Sequence, residues 1–323
     1  MESAKNFNLM QALKENAIYL VLLVLLMVIV IQEPSFLSLT NFSNILTQSS
    51  VRVIIALGVA GIIITQGTDL SAGRQVGLAA LIAATMLQAL TNVNKVFPTL
   101  GEVPIPAVIL LVCVVGALIG LVNGLIVAYL NVTPFITTLG TMIIVYGINS
   151  LYFDSVGASP VAGFDPRFSS FAQGFIRIGG FKLSYLTFYA AIASVFVWVL
   201  WNKTRFGKNI FAIGGNPEAA KVSGVNVAVN LVIIYALAGV FYAFGGMLEA
   251  GRIGSATNNL GFMYELDAIA ACVVGGVSFA GGVGTVAGVI TGVLIFTLIN
   301  YGLTYIGVSP YWQFIIKGGI IIL

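Results

Sequence analysis

The stretch Ile105-Pro-Ala-Val-Ile-Leu-Leu-Val-Cys-Val-Val-Gly-Ala-Leu-Ile-Gly-Leu-Val-Asn-Gly-Leu-Ile-Val-Ala-Tyr-Leu130 decides the fold class, because it contains no charged residue. A hydrocarbon core about 30 Å thick is crossed by about 20 mainly apolar residues in a helix. A soluble helix of the same length would need a polar face to meet water, and this stretch has none. It therefore predicts a membrane-spanning helix.

The composition of the whole chain agrees with this prediction. Of 323 residues, 59% are apolar and 8% are charged, whereas an ordinary soluble domain has about 25% charged residues. The chain contains no histidine, the commonest general base and metal ligand, and Cys113 and Cys272 lie in apolar runs without metal-ligand spacing. We expect no catalytic residue, no cofactor and no metal site in this chain, and the net charge of +3 is too small to indicate a nucleic-acid partner.

Similar apolar stretches recur along the chain and predict an all-α, polytopic membrane protein, with one transmembrane domain covering residues 1–323. The first stretch is followed by Gln32, Glu33 and Pro34 rather than by a signal-peptide cleavage site, so we expect it to be a span. The last stretch is still apolar at Leu323, which suggests that a tail is missing. The ten predicted spans are Ala17–Ile31, Val51–Gln66, Val76–Leu90, Ile105–Leu130, Pro134–Phe153, Leu183–Trp201, Val227–Leu248, Ala268–Phe279, Val283–Leu303 and Tyr311–Leu323.

Basic residues give the predicted orientation. The densest basic segment is 202–226, so the positive-inside rule places it in the cytoplasm. Lys5 and Lys14 place the N-terminus there as well. Because six spans separate these two cytoplasmic segments, the segment 154–182 is predicted to lie outside, as a periplasmic loop with a short surface helix and a plausible docking surface.

Two pairs of features recur in the same order. Asp69-Leu-Ser71 opens the third span and Glu265-Leu-Asp267 opens the eighth, each as an acidic, capping-type helix start. Gly120-x-x-x-Gly124 in the fourth span corresponds to Gly288-x-x-x-Gly292 in the ninth. Five spans separate the partners, so the two copies would have opposite orientations, as in many transporters. We predict an inverted repeat that relates spans 2–5 to spans 7–10, with chance similarity of glycine-rich sequence as the alternative.

The segment 202–226 also carries the sharpest motif. Gly214-Gly215 predicts a turn, Asn216 a helix N-cap, Pro217 the first helical position and Gly224 the end of the helix. Such a short helix outside the membrane could transmit a push from a cytoplasmic partner, or it could be an ordinary capped surface loop.

Four segments resemble the monosaccharide permeases of bacterial ABC importers, and essentially the whole chain takes part in the resemblance. Within this family, 41–57 and 251–262 are more similar to the branch that carries galactose and methyl galactosides than to the ribose branch. The four segments are Gly215–Gly224, Asp69–Gly73, Thr133–Gly140 and Glu265–Thr285.

The resemblance implies a type II ABC-importer-like permease in the bacterial inner membrane that moves sugar by alternating access and is a transporter subunit rather than an enzyme. It implies a second permease copy, a periplasmic galactose-binding protein and a cytoplasmic ABC ATPase subunit that binds ATP and magnesium. This chain has no Gly-x-x-x-x-Gly-Lys-Ser/Thr motif of its own. The ATPase would dock on the coupling loop, at Gly215, Asn216, Pro217, Glu218, Ala219, Ala220, Ser223 and Gly224.

Polar residues within the spans are the candidates for contact with a neutral sugar. For Asp69, the structural alternative is a helix cap with Arg74 as counter-ion, and for the threonines it is a hydrogen bond to their own backbone. Lys317 is expected to snorkel or to pair with a carboxylate. The candidate pathway residues are Asp69, Ser71, Thr133, Phe135, Thr137, Asn149 and Asn300.

Three other functions stay open at the level of sequence. A ribose-type ABC permease would share every motif above. An ion-coupled secondary sugar carrier would need buried acids or histidines for coupling, which are scarce here. A passive channel or a membrane scaffold would need no ATPase.

Overall fold

The computed structural model describes the backbone of residues 17–322, and most of it is helical, which confirms the predicted all-α class. Lys5, Lys14 and Leu323 lie outside the described residues. A 3₁₀ turn, Pro34–Phe36, follows the first helix. The α-helices are α1 Ala17–Gln32, α2 Leu39–Ile64, α3 Ala72–Met86, α4 Ile105–Tyr129, α5 Pro134–Ser155, α6 Pro166–Gln173, α7 Tyr185–Lys203, α8 Arg205–Gly215, α9 Pro217–Val222, α10 Val227–Ile253, α11 Tyr264–Val274, α12 Val286–Tyr305 and α13 Pro310–Ile322.

Two small antiparallel sheets lie in the connections. Strand β1, Val161–Ala162, pairs with β4, Ser255–Ala256, so that Val161 faces Ala256. Strands β2, Phe175–Ile178, and β3, Phe181–Ser184, form a hairpin. Each sheet has only two strands, so the helices carry the core.

Each of the ten predicted spans contains a helix, but the helices differ in length. Among the described residues, α2, α4, α5, α7, α10 and α12 are long and apolar enough to cross a bilayer. The structure differs from the prediction at the third and eighth spans, because α3 begins at Ala72 rather than Val76 and α11 begins at Tyr264 rather than Ala268. The two helices have 15 and 11 residues. At 1.5 Å per residue these helices are about 22 and 16 Å long, too short to cross the membrane alone.

The two short helices begin next to each other inside the bundle. A side chain at Gly73, the second residue of α3, would collide with the carbonyl of Gly261 and with the carboxylate of Glu265, the second residue of α11. Gly261 adopts a φ of +82°, which favours glycine. The chain therefore reaches the middle of the bundle as irregular backbone in 65–71 and 257–263 before each short helix starts.

Close helix contacts hold the bundle together. α10 packs against α2, α3 and α4, and its seam with α4 brings two backbones together, because a side chain at Gly116 would collide with the carbonyl of Gly239. In lipid such contacts replace the expulsion of water as the source of helix association. Isoleucines and leucines on the outer faces of α4 and α5 remain exposed, as expected for a surface in contact with lipid.

The packing pattern is repeated in the two halves of the chain. α4 packs on α10 as α12 packs on α2, and α3 lies against α10 as α11 lies against α2. These are the contacts that the predicted repeat of spans 2–5 and 7–10 requires. The correspondence is weaker at the ends of the copies, since α5 packs against α3 while α13 packs mainly on α12.

Candidate functional site

The segments that surround 202–226 lie together at one end of the bundle. The side-chain amide of Gln66, just after α2, donates to the carbonyls of Gly214 (2.8 Å) and Ala280 (3.0 Å). The backbone N–H of Gly282 donates to the carbonyl of Ile64 at 2.9 Å. The end of α2, the end of α8 and the loop after α11 therefore lie together, at what we call the 202–226 end.

The opposite end collects the segments around 154–182. Strand β1 joins this segment to β4, just after α10. Asn92 donates to the carbonyl of Ala162 at 2.9 Å, and Gln173 donates to that of Gly251 at 2.8 Å. Because α10 starts near the 202–226 end and finishes here, the two predicted loops lie at opposite ends of the bundle.

The segment 154–182 contains the short surface helix that its turn residues suggest. Asp165 caps α6 by accepting from the N–H of Arg167 at 2.8 Å. The guanidinium of Arg167 also binds the carboxylates of Asp165 (2.8 Å) and Glu102 (2.9 Å), and it lowers the pKa of Asp165. The turn at Gly179 and Gly180 joins the β2–β3 hairpin.

The short helix predicted in 202–226 is α9. The side chain of Asn216 accepts from the N–H of Ala219 at 3.0 Å, Pro217 is the first helical residue, and Gly224 follows with a φ of +83°. The predicted turn at Gly214 and Gly215 is wrong, because these glycines form the last turn of α8.

Tertiary packing explains this error. A side chain at Gly214 would collide with the carbonyl of Ile64 and with the backbone of Gly282, so glycine serves a close approach here rather than a turn. The helix α8 itself has no counterpart among the predictions. Its N-cap Thr204, which accepts from the N–H of Gly207 at 3.1 Å, is the signal that could have located it.

The surface of α9 is open on one side and anchored on the other. Ala220 is buried, whereas Glu218, Ala219 and Ser223 are exposed and Val222 is 89% exposed. A groove of about 550 Å³ runs between α9 and the facing residues of α4 and α10. A rigid exposed helix beside a groove is a suitable docking element.

Asp69 and Ser71 form the centre of a buried polar network. Both the N–H and the hydroxyl of Ser71 donate to Asp69 Oδ1, at 2.9 and 2.5 Å. The side-chain amides of Gln75 and Asn123 donate to Ser71 Oγ at 2.9 and 3.1 Å. The hydroxyl of Thr141 donates to Asn123 at 2.5 Å. This network ties together α3, α4 and α5.

The predicted role of Arg74 as counter-ion of Asp69 is wrong. Among the described residues, Asp69 forms no ion pair, and Ser71 supplies the donors instead. Sequence reasoning missed Gln75 and Asn123 as members of the network. Asn123 could have been found, because it is the one amide in the apolar stretch 105–130.

The other candidate pathway residues are dispersed. Thr133 and Phe135 are exposed at the start of α5, whereas Thr137 is buried and its hydroxyl has no partner. Asn300 is half-buried on α12, a helix that packs against α2 and α11 rather than on α5. Only Asp69 and Ser71 contact each other directly, and Asn149 lies at a second polar site.

This second site surrounds Arg74, where α3 and α11 meet. The guanidinium carbon of Arg74 lies 4.2 Å from the ring centre of Tyr146 and 5.2 Å from that of Phe262. Asn149, fully buried on α5, donates to the carbonyl of Asn258 at 3.0 Å. The side-chain amide of Asn149 therefore holds the irregular segment 257–263 against α5.

Ion pairs lie on the other side of α11. Asp267 binds Arg52 of α2 at 2.9 Å and Lys317 of α13 at 2.9 Å, so the predicted pairing of Lys317 with a carboxylate is confirmed. Glu249 binds Arg252 at 2.8 Å and accepts from Tyr264 at 2.6 Å. The charges of these five side chains are thus paired inside the bundle.

A helical bundle of this kind, with a short surface helix at one end and buried polar sites between broken helices, is typical of membrane permeases. Residues 41–323 match the family described as branched-chain amino acid transport system / permease component, and the chain belongs to that family. Its assignment as a transport subunit rather than an enzyme is confirmed. No solved structure matches the chain.

Its relatives refine this assignment. The galactose/methyl galactoside import permease protein MglC of Haemophilus influenzae is 77% identical over 100% of this chain and 95% of the relative. The protein of the same name from Salmonella typhimurium is 80% identical over 96% of this chain and 92% of the relative. The ribose import permease protein RbsC of Escherichia coli K12 is 38% identical over 96% of this chain and 92% of the relative. The resemblance to the galactose branch rather than to the ribose branch is confirmed.

Proposed function

We propose that this chain is the membrane-spanning permease of an ATP-driven importer of galactose and methyl galactosides. The observation that carries the proposal is 77 to 80% identity, over nearly the whole chain, to permeases with that name. Its several apolar helices make it a multi-pass protein of the bacterial inner membrane. The N-terminus and the segment 202–226 face the cytoplasm, which the basic residues of that segment support.

The partners follow from the two ends of the bundle. A cytoplasmic ATPase, which holds ATP and magnesium, docks on α9 at the exposed side chains of Asn216, Glu218, Ala219 and Ser223. A galactose-binding protein docks at the 154–182 end and delivers the sugar. A second copy of the permease completes the pathway, with Asn149 and the Asp69–Ser71 network at its inner wall.

The contacts of α8 and α9 suggest how force enters the bundle. α9 is joined to α8 through the single residue Asn216, and α8 abuts the end of α2 and the loop before α12 at Gly214. A displacement of α9 by the ATPase therefore reaches one helix from each half of the repeat. Their relative movement would open the pathway towards one end or the other, as alternating access requires.

Two substitutions on α9 test the proposal, one that reverses a charge and one that adds a bulky side chain. Glu218→Arg and Ala219→Trp are expected to abolish ATP-dependent galactose uptake in proteoliposomes that contain the ATPase and the binding protein, while the chain still inserts. Glu33→Arg, the same change at an exposed position of the opposite end, serves as the control.

Two results would contradict the proposal. Normal uptake by both α9 variants would show that the ATPase does not dock on α9. Uptake by the unmodified chain that needs no ATPase and collapses with an uncoupler would favour the ion-coupled carrier.

A further inference from the structure

Arg74 is a cation in the first turn of α3 that no carboxylate neutralises by direct contact. None of the ion pairs among the described residues includes it, and two aromatic rings enclose its guanidinium instead. Ionisable groups at membrane depth are expensive, and they usually mark the path of a substrate or an ion. Arg52 and Lys317 share Asp267, and Arg252 binds Glu249, so Arg74 differs from these three partly buried cations.

Three buried polar atoms at this site have no hydrogen-bond partner. They are Nη1 of Arg74, Oδ1 of Asn149 and Oε2 of Glu265. Asn149 is fully buried and Glu265 is 8% exposed. Oε2 of Glu265 lies against Gly73, next to Arg74, and the amide of Asn149 lies near Gly77, one turn further along α3. Unpaired buried polar groups are rare in folded proteins, so three of them around one turn of helix need an explanation.

The chemistry of these atoms indicates the kind of ligand. One is a donor and two are acceptors, and a hydroxyl group can serve either kind because it both donates and accepts. An anion would be repelled by Glu265 and a cation by Arg74. A neutral molecule with several hydroxyl groups satisfies all three.

The aromatic rings supply the remaining feature of a sugar site. Tyr146 is 40% exposed and Phe262 is 47% exposed, so the two rings that flank the Arg74 guanidinium reach the surface of the bundle. A groove of about 350 Å³ runs along residues 253–264 and reaches the site at Phe262. Ligand sites commonly combine apolar and aromatic walls with a few polar groups that fix orientation.

We propose that Arg74, Tyr146 and Phe262, with Asn149 and Glu265 beneath them, form a contact site for the sugar where α3 and α11 meet. This inference rests on the proposed function, since it places the substrate of that permease. The site joins one short helix from each half of the chain, so relative movement of the halves changes its shape.

Paired rates of uptake and ATP hydrolysis test the site in the assembled transporter. Arg74→Lys and Tyr146→Ala are expected to lower galactose uptake about tenfold, the effect of one or two lost polar contacts. ATP hydrolysis stimulated by the loaded binding protein is expected to persist. Ile148→Ala, which truncates an exposed side chain on the opposite face of α5, is the control and leaves both rates unchanged.

Three outcomes distinguish a failure of the sugar site from a failure of the proposed function. Unchanged uptake by both variants, or an equal fall of uptake and hydrolysis, would overturn the sugar site, because the second result indicates a purely structural role. No ATP-dependent uptake of galactose by the unmodified transporter would instead overturn the proposed function.

A chemical readout covers the case in which the variants assemble poorly. In the assembled transporter, Tyr146→Cys is expected to react with a small thiol reagent, and galactose is expected to slow this reaction at least about twofold. Ile148→Cys serves as the matched control, since its reaction is expected to be insensitive to sugar. Equal reaction rates with and without galactose at position 146 would contradict the site.

Discussion

Asp267 joins two cations from helices that are distant in the sequence. Its carboxylate binds Arg52 and Lys317, both at 2.9 Å, and all three side chains are largely buried. Neither cation has another carboxylate within ion-pair distance among the described residues. The loss of this one group would therefore leave two positive charges uncompensated between α2, α11 and α13.

We expect Asp267→Asn to lower the stability of the purified chain by about 3 kcal/mol, because the removal of one partner strands the others in a poorly solvated place. Thermal unfolding in detergent measures this effect. Glu102→Gln, which breaks an exposed pair with Arg167, is the control and should cost less than about 1 kcal/mol. Equal shifts for the two variants would contradict the structural role of Asp267.

Single residues also show the limit of prediction from sequence. The capping pattern of Asn216, Pro217 and Gly224 could be read directly, because a helix cap is local chemistry. The partners of Asp69 and Arg74 could not, because they depend on which faces of α3, α4 and α5 meet. Arg74 is close to Asp69 in the sequence, yet the structure places it between Tyr146 and Phe262.

At the scale of elements, the seam between α4 and α10 depends on glycines that let two backbones touch. Gly116 and Gly239 lie in direct contact, whereas no atom beyond the adjacent turns of α5 lies within 4 Å of the position that a Cβ would occupy at Gly140. The same residue type therefore has two different roles in two spans. Spacing alone does not separate these roles.

Alanine substitution should distinguish them. Gly116→Ala is expected to destabilise the chain by about 1 to 3 kcal/mol, because its methyl group forces the helices apart. Gly140→Ala, the matched control, is expected to be neutral or to stabilise by up to about 1 kcal/mol through helix propensity. Thermal unfolding of the two variants in one detergent makes the comparison, and destabilisation by Gly140→Ala alone would contradict the seam.

The helices themselves differ in how well the sequence predicted them. The long spans followed from length and hydropathy, and the structure has a helix at each of them. The short helices α3 and α11 were each predicted to begin four residues too late, because hydropathy does not distinguish an apolar half-helix from an apolar loop. The acidic segments at Asp69 and Glu265 were the signal that both helices begin inside the bundle, close to each other.

At the scale of the whole molecule, the two ends of the bundle are built from segments that alternate along the chain. The 154–182 end contains the start of α2 and the end of α10, whereas the 202–226 end contains the end of α2 and the start of α10. Ser43 near the start of α2 donates to the carbonyl of Lys182, which fixes that helix to the 154–182 end. This alternation requires the membrane to lie between the two segments.

Cysteine labelling in intact cells tests this arrangement and the orientation together. Ile178→Cys in the hairpin and Val222→Cys on α9 both replace exposed side chains outside the long helices. We expect a membrane-impermeant maleimide to label position 178 in intact cells and position 222 only after permeabilisation, because the basic segment 202–226 stays in the cytoplasm. The reverse pattern would invert the orientation but keep the fold. Labelling of both positions in intact cells would contradict the separation of the two ends.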